Sequence, residues 1–144
     1  MEYTEIDLQI EDIMWFGVDK NGYVFECTSG GLGNVPDFVC KSKKNTEILL
    51  TFFTEEAQEF TTGKIASEVP SDCQLYEDCK NLVRKGLTCF DILDATDGSY
   101  TKIGSPVELL SVLRLPPKIQ DILRLHIVDI DLATTETLKV KHAY

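Results

Sequence analysis

The sequence predicts an α+β fold: a largely antiparallel sheet built from two hairpins and a C-terminal strand, packed with three to four helices. Three observations carry this. Two pairs of β-rich runs are each joined by a turn signal. The helical patterns fall in blocks between the pairs and do not alternate with single strands, as a doubly wound parallel fold requires. A chain of 144 residues suits one domain, here spanning 1–144.

Taken in order, residues 10–19 hold the run Met14-Trp15-Phe16-Gly17-Val18, and residues 23–29 hold a second strand. Between them, Asn21-Gly22 supplies two residues that tolerate positive φ, the requirement of a two-residue hairpin turn. The first strand is apolar on both faces, which predicts an interior position in the sheet. Gly30 to Pro36 reads as a loop, with Pro36 opening a helical turn. Ile48, Leu49, Phe52 and Phe53 predict a helix over about 46–54, and Thr54 is placed to cap a second short one. Residues 61–70 are polar and read as a linker. Ser71-x-x-Gln74 has the form of a capping box, ahead of Leu75, Tyr76, Cys79, Leu82 and Val83 at helical spacing, and Gly86 stands where a C-terminal cap is wanted.

The second hairpin is predicted from Leu87–Leu93 and Tyr100–Ile103, with its turn at Asp94–Gly98. Ser105-Pro106-x-Glu108 reads as a helix start that ends before Pro116-Pro117. A short turn around Ile119, Ile122 and Leu123 leads to a last strand, Leu125–Leu132, and a polar tail over 133–144 is expected to fray.

Charge narrows the function classes. The net charge is −10, and residues 1–72 hold 14 acidic against 5 basic side chains. Such a surface repels phosphate backbones and anionic lipid, so no nucleic acid and no membrane is expected as partner. A basic protein would be drawn in and its approach accelerated. The clusters Glu2, Glu5, Asp7, Glu11, Asp12 and Glu55, Glu56, Glu59 are the candidate surface, with Glu55, Glu56 and Glu59 as the named partner-binding residues.

The start of the chain has neither a basic region nor an apolar run, and the five cysteines form no C-x-x-C pair. The expectation is a cytoplasmic protein with reduced thiols. Gly30, Gly31 and Gly33 follow a strand, and their amides form a candidate ligand loop for an anion; a tight connection needing positive φ explains the same glycines. His126 and His142 are the only histidines, so no metal site and no cofactor is expected, and Asp94-x-x-Asp97-Gly98 lacks the pattern of a calcium loop. Cys27, Cys40, Cys79 and Cys89 sit among apolar residues, where thiols are inert.

The run Asp12 to Asp19, with Gly22, Val24, Gly30, Gly33 and Pro36, looks like the opening of a set of small bacterial proteins without assigned activity. The run Tyr100 to Pro106, then Leu115-Pro116, fits the same pattern. In size and charge the chain is similar to immunity proteins of bacterial toxin systems. That similarity implies a non-enzymatic interaction domain that neutralises a basic toxin. The alternative is a small-molecule-binding or enzymatic domain with a cleft near the Gly30–Gly33 loop.

Overall fold

The computed structural model describes residues 1–93 and 97–144. Its six-stranded sheet runs in the order β1 (Met14–Val18), β2 (Val24–Thr28), β4 (Thr88–Asp91), β5 (Tyr100–Pro106), β3 (Gly63–Ile65). The short β6 (Thr137–Leu138) pairs with the Tyr100 end of β5, and β3 takes the Pro106 end of the same edge. All neighbours are antiparallel except β2 and β4, which are parallel because the chain leaves β2 and returns beside it only after two α-helices, β3 at the far edge of the sheet, and a third α-helix. The α+β prediction with a largely antiparallel sheet therefore holds, with five α-helices among the described residues, close to the three to four expected.

Alternation along the strands divides the core between the two faces. Phe16, Val18, Val24, Cys89 and Ile103 face α3 (Lys43–Thr51), α4 (Gln74–Arg84) and α5 (Pro117–Leu123). Trp15, Phe25, Cys27, Phe90 and Tyr100 face α1 (Glu5–Ile10), α2 (Asp37–Cys40) and the C-terminal segment. Both faces of β1 are thus buried, as its apolar run requires, yet β1 lies at the edge of the sheet and not in its interior. Its open side is covered where the Val18 N–H donates to the His126 carbonyl and the Val128 N–H donates to that of Val18. A buried edge strand and a central strand have the same composition, so the pattern alone could not separate them.

The first hairpin forms with a different turn. Gly22 has φ +86°, but no residue other than glycine has positive φ among the described residues. The Gly22 N–H donates to the Asp19 carbonyl and the Asp19 N–H to that of Tyr23. This is a three-residue loop in which only the glycine is left-handed. Replacing Gly22 by Val is expected to destabilise the protein by about 1 kcal/mol or more, since a β-branched residue resists that conformation. Chemical denaturation is the check, and an unchanged midpoint would refute this account of the turn.

Several local signals were overridden. Thr4 caps α1, a helix the sequence reading did not expect: its hydroxyl accepts from the Asp7 N–H, and the Asp7 carboxylate accepts from the Thr4 N–H. Thr54 caps nothing. Its hydroxyl donates to the Leu50 carbonyl, and the chain continues from α3 into one wide π turn, Phe52–Glu56, closed by the Ala57 N–H on the Phe52 carbonyl. Cys73, not Ser71, is the N-cap of α4, because Pro70–Cys73 closes into a turn first. Gly86, at φ +88°, ends that helix as expected. The predicted linker contains β3, and the predicted helix start at Ser105-Pro106 is the end of β5, where pairing with β3 outweighs a favourable cap. Only a 3-10 turn, Val112–Arg114, lies between there and α5, and α5 itself is a full helix where a turn was expected.

Leu125–Leu132 is no strand beyond its single bridge at Ile127 to Val18. The tail is anchored and not frayed: Leu138 is fully buried, the Ala143 N–H donates to the Val35 carbonyl, and the Tyr144 hydroxyl donates to that of Tyr3. The second hairpin joins β4 to β5, with Asp94, Ala95 and Thr96 of its turn outside the described residues.

Candidate functional site

Glu26 is the most unusual residue of the sheet. It sits in β2 between the apolar Phe25 and Cys27, on the face that carries Val24 and Thr28, and is 3% exposed. In the β2–β4 register it lies beside Cys89, and Thr28 lies beside Asp91. Its carboxyl accepts from the Thr28 hydroxyl two residues along the same face. Glu26, Thr28 and Asp91 line a cleft of about 470 Å³ between the sheet and α4. Asp12 contributes from the α1–β1 link, Asp78 and Cys79 from α4, and Leu50 from α3.

Among the described residues, four carboxyl groups thus border this cleft, and no Lys, Arg or His does. Burial is the main cause that pushes Glu26 up to about 8, reinforced by the negative charges of Asp91 and Asp12 and opposed by the Thr28 hydroxyl. Asp91 rises to about 6 for the same leading reason, with Asp12 adding to it. At neutral pH the floor of the cleft is therefore a carboxylic acid and its wall an ionised carboxylate. Such a pair can donate and accept protons, and it can hold a cation once Glu26 ionises.

The folded state keeps a proton on Glu26 that the unfolded chain has lost above its ordinary 4.5, so stability falls as pH rises from about 5 to about 8 and then levels. Asp91 adds a slope of the same sign between 3.8 and about 6. Glu26→Gln, which keeps the shape and abolishes the titration, is expected to raise stability by about 1–2 kcal/mol near pH 8 and to have little effect at pH 5. Melting temperature against pH checks this; a wild-type profile that rises with pH over that window would overturn it.

The glycine loop reaches this cleft through one residue. Gly30 lines it, and its N–H donates to the Asp12 carboxylate at 2.9 Å. The N–H groups of Leu32 and Gly33 both donate to the Ser29 carbonyl. Two of the three glycine amides proposed to cradle an anion, those of Gly30 and Gly33, thus serve the protein's own groups, with the Asp12 carboxylate taking the first. The glycines answer to geometry: Gly30 and Gly31 have positive φ, and a Cβ on Gly33 would lie 2.6 Å from the Tyr100 hydroxyl oxygen. Gly31 and Gly33 do not line the cleft.

Glu55, Glu56 and Glu59 are all exposed. Glu56 and Glu59 line a separate hollow of about 320 Å³ together with Lys85 and Arg114, so two cations oppose two anions there. The Lys85 ammonium is buried and donates to the carbonyls of Phe53 (2.8 Å) and Thr54 (3.3 Å). Desolvation lowers its pKa, and the charge of Glu59 works against that. Arg114 stacks over Phe60 at 4.3 Å. The two acidic clusters do not converge: Asp7 pairs with Lys43 at the start of α3, while Glu55 and Glu56 lie in the turn that ends it, about 18 Å along the axis.

The remaining candidates have structural places. The buried His126 ring stacks at 4.8 Å on Phe38 and donates from Nδ1 to the Phe16 carbonyl, and burial lowers its pKa. His142 Nδ1 accepts from the Val35 N–H. All five cysteines are free, and all but Cys73 are buried. Burial raises Cys27 and Cys40, and a contact with Cys79 as well as burial raises Cys89. No three His, Cys, Asp or Glu side chains among the described residues converge on a point that could hold a metal ion. None of the helices in these residues is long and apolar enough to cross a membrane. Comparison of the chain with family models, with curated proteins and with solved structures gives no match.

Of the cleft carboxyls the sequence points only to Asp12, as part of the N-terminal acidic cluster; Glu26, Asp78 and Asp91 are not among its candidates. The available signal was a carboxylate inside an apolar strand, Val24-Phe25-Glu26-Cys27, since charged residues are almost never buried without a reason.

Proposed function

We propose that the protein is a non-enzymatic cytoplasmic binding protein whose cleft takes an elongated organic cation carrying amino or guanidino groups. The observation that carries this reading is the cleft lined by four carboxyls and no basic side chain. The carboxyls are spread over the α1–β1 link, two strands and α4, which suits a ligand with charge along its length more than a point ion. Leu50, Leu75 and Leu82 offer apolar contact to the methylenes between the charges. The cation has two sources, a free polyamine or a Lys or Arg side chain of a basic protein such as a toxin domain.

Titration calorimetry with spermidine, with agmatine and with a short Arg-Lys peptide tests the reading and separates the sources. Binding is expected to strengthen from pH 5.5 to pH 8, because Asp91 and then Glu26 ionise, and to weaken with salt. Replacing Asp12, Asp78 and Asp91 together by Asn is expected to lower affinity by about tenfold or more. Saturable binding of the small amines favours a free ligand, and binding of the peptide alone favours the protein source. No heat from any of the three at millimolar concentration at pH 8 would refute it.

A further inference from the structure

A second surface adjoins the cleft and shares Asp12 with it. Helix α1 buries Leu8 against the sheet, at 2% exposure, and turns Ile6 and Ile10 outward at 66% and 74%. Four residues apart on one helix, these two side chains are neighbours, about 6 Å from one another along the axis. The glycine loop abuts the end of the helix, since a Cβ on Gly31 would meet the Gln9 carbonyl oxygen at 2.8 Å. The next residue, Leu32, is 62% exposed. Three branched apolar side chains are therefore presented to solvent by two tied segments.

The charges next to them have one sign. Glu2, Glu5, Glu11 and Asp12 are all exposed, and Asp7 holds the nearby Lys43 at 3.2 Å. Lys43 also lies over the Tyr3 ring, and Lys41 is taken by Asp37. Apolar anchors within an acidic border are the complement of a segment whose apolar side chains are flanked by Lys and Arg. A second copy of the chain does not fit, because a two-fold contact over Ile6 and Ile10 would set Glu5 and Glu11 against their own equivalents. An anionic bilayer is repelled by the same border.

We propose that the outer face of α1, with Ile6, Ile10 and Leu32 as anchors and Glu2, Glu5, Glu11 and Asp12 as its border, docks a basic amphipathic segment of a protein partner. This does not depend on what the cleft binds. The acidic border speeds encounter, and the isoleucines supply the apolar burial that charge alone does not provide.

The test uses the full chain and, as probe, a fluorescein-labelled 18-residue amphipathic helical peptide of Leu and Lys, read by anisotropy at low salt. Ile6→Ser with Ile10→Ser, and separately Glu5→Lys with Glu11→Lys, are each expected to weaken binding by about tenfold or more. These positions are exposed, so the variants should melt with the wild type. Glu68→Gln, exposed on the loop after β3 and outside both the cleft and the α1 face, is expected to leave peptide affinity unchanged. Affinity indifferent to both double variants would overturn the proposal, as would equal binding of a Leu-Glu peptide. A dimer in the ultracentrifuge that Ile6→Ser with Ile10→Ser converts to monomer would make the face a self-interface and overturn it too. So would binding to phosphatidylserine vesicles that the same variant abolishes.

Discussion

Trp15→Ala is expected to destabilise the protein by about 3–5 kcal/mol, a large fraction of the about 5–15 kcal/mol that holds an ordinary domain folded. Trp15 is fully buried in β1. Its ring meets Phe25, Phe38 and Tyr100 edge-on, at centroid distances of 5.8, 6.0 and 5.8 Å. Its indole N–H donates to the Tyr100 hydroxyl at 3.1 Å, and that hydroxyl donates onward to the Asn34 carbonyl at 2.7 Å. Truncation empties the space between β1, α2 and β5 and removes one link of that chain. Trp15→Phe keeps most of the volume and loses the N–H, so about 1–2 kcal/mol is expected. Guanidinium denaturation measures both. A native emission maximum at the wavelength of free tryptophan, or an alanine variant within 1 kcal/mol of the wild type, would disprove the packing described.

Asp19→Ala is expected to cost a similar amount, about 3–5 kcal/mol, for a different reason. The Asp19 carboxyl is 2% exposed and, among the described residues, forms no ion pair; it is held by backbone amides. Oδ1 accepts from the N–H groups of Asn21 and Tyr23, both at 2.9 Å, and Oδ2 accepts from that of Leu132 at 3.0 Å. One side chain therefore closes the first hairpin and ties to it the C-terminal segment 113 positions away. Alanine leaves those three donors without their acceptor. Asn retains a single acceptor oxygen and is expected to lose about half as much. Hydrogen exchange localises the effect: the amides of Tyr23 and Leu132 should lose protection first, ahead of those in β4. Unchanged protection at Leu132 would show that this contact does not hold the segment.

Asp19 also illustrates what a sequence reading can and cannot reach. Asp19-Lys20-Asn21-Gly22 is legible as a turn, because glycine at the left-handed position is a requirement of the backbone there. The reach of the same Asp to Leu132 is not legible, since no local pattern records a contact so distant in the chain. The glycine loop repeats the lesson. Its positive φ angles at Gly30 and Gly31 were foreseeable, but the partner of the Gly30 amide, Asp12, comes from another element. The cleft follows from the same cause. Asp12, Glu26, Asp78 and Asp91 are carried by four segments and become one site only when β2 and β4 pair in parallel and α4 covers them.

Chain chemistry alone determined the fold class, the two hairpins, the helix ended by Gly86, the burial of Trp15 and the acidity of the N-terminal half. Each of these rests on local preference, on alternation or on composition, which the residues carry wherever they are. Tertiary structure decided the rest. It placed β1 at an edge, drew Ser105-Pro106 into a strand and pinned the tail. It also divided the acidic groups between a cleft, a hollow balanced by Lys85 and Arg114, and the border of α1. Those outcomes depend on which hydrogen-bonding edge and which apolar face remain free after the other elements have packed. That competition is resolved between distant segments, where pairing in a sheet outweighs a helix cap and burial sets whether a carboxyl holds its proton.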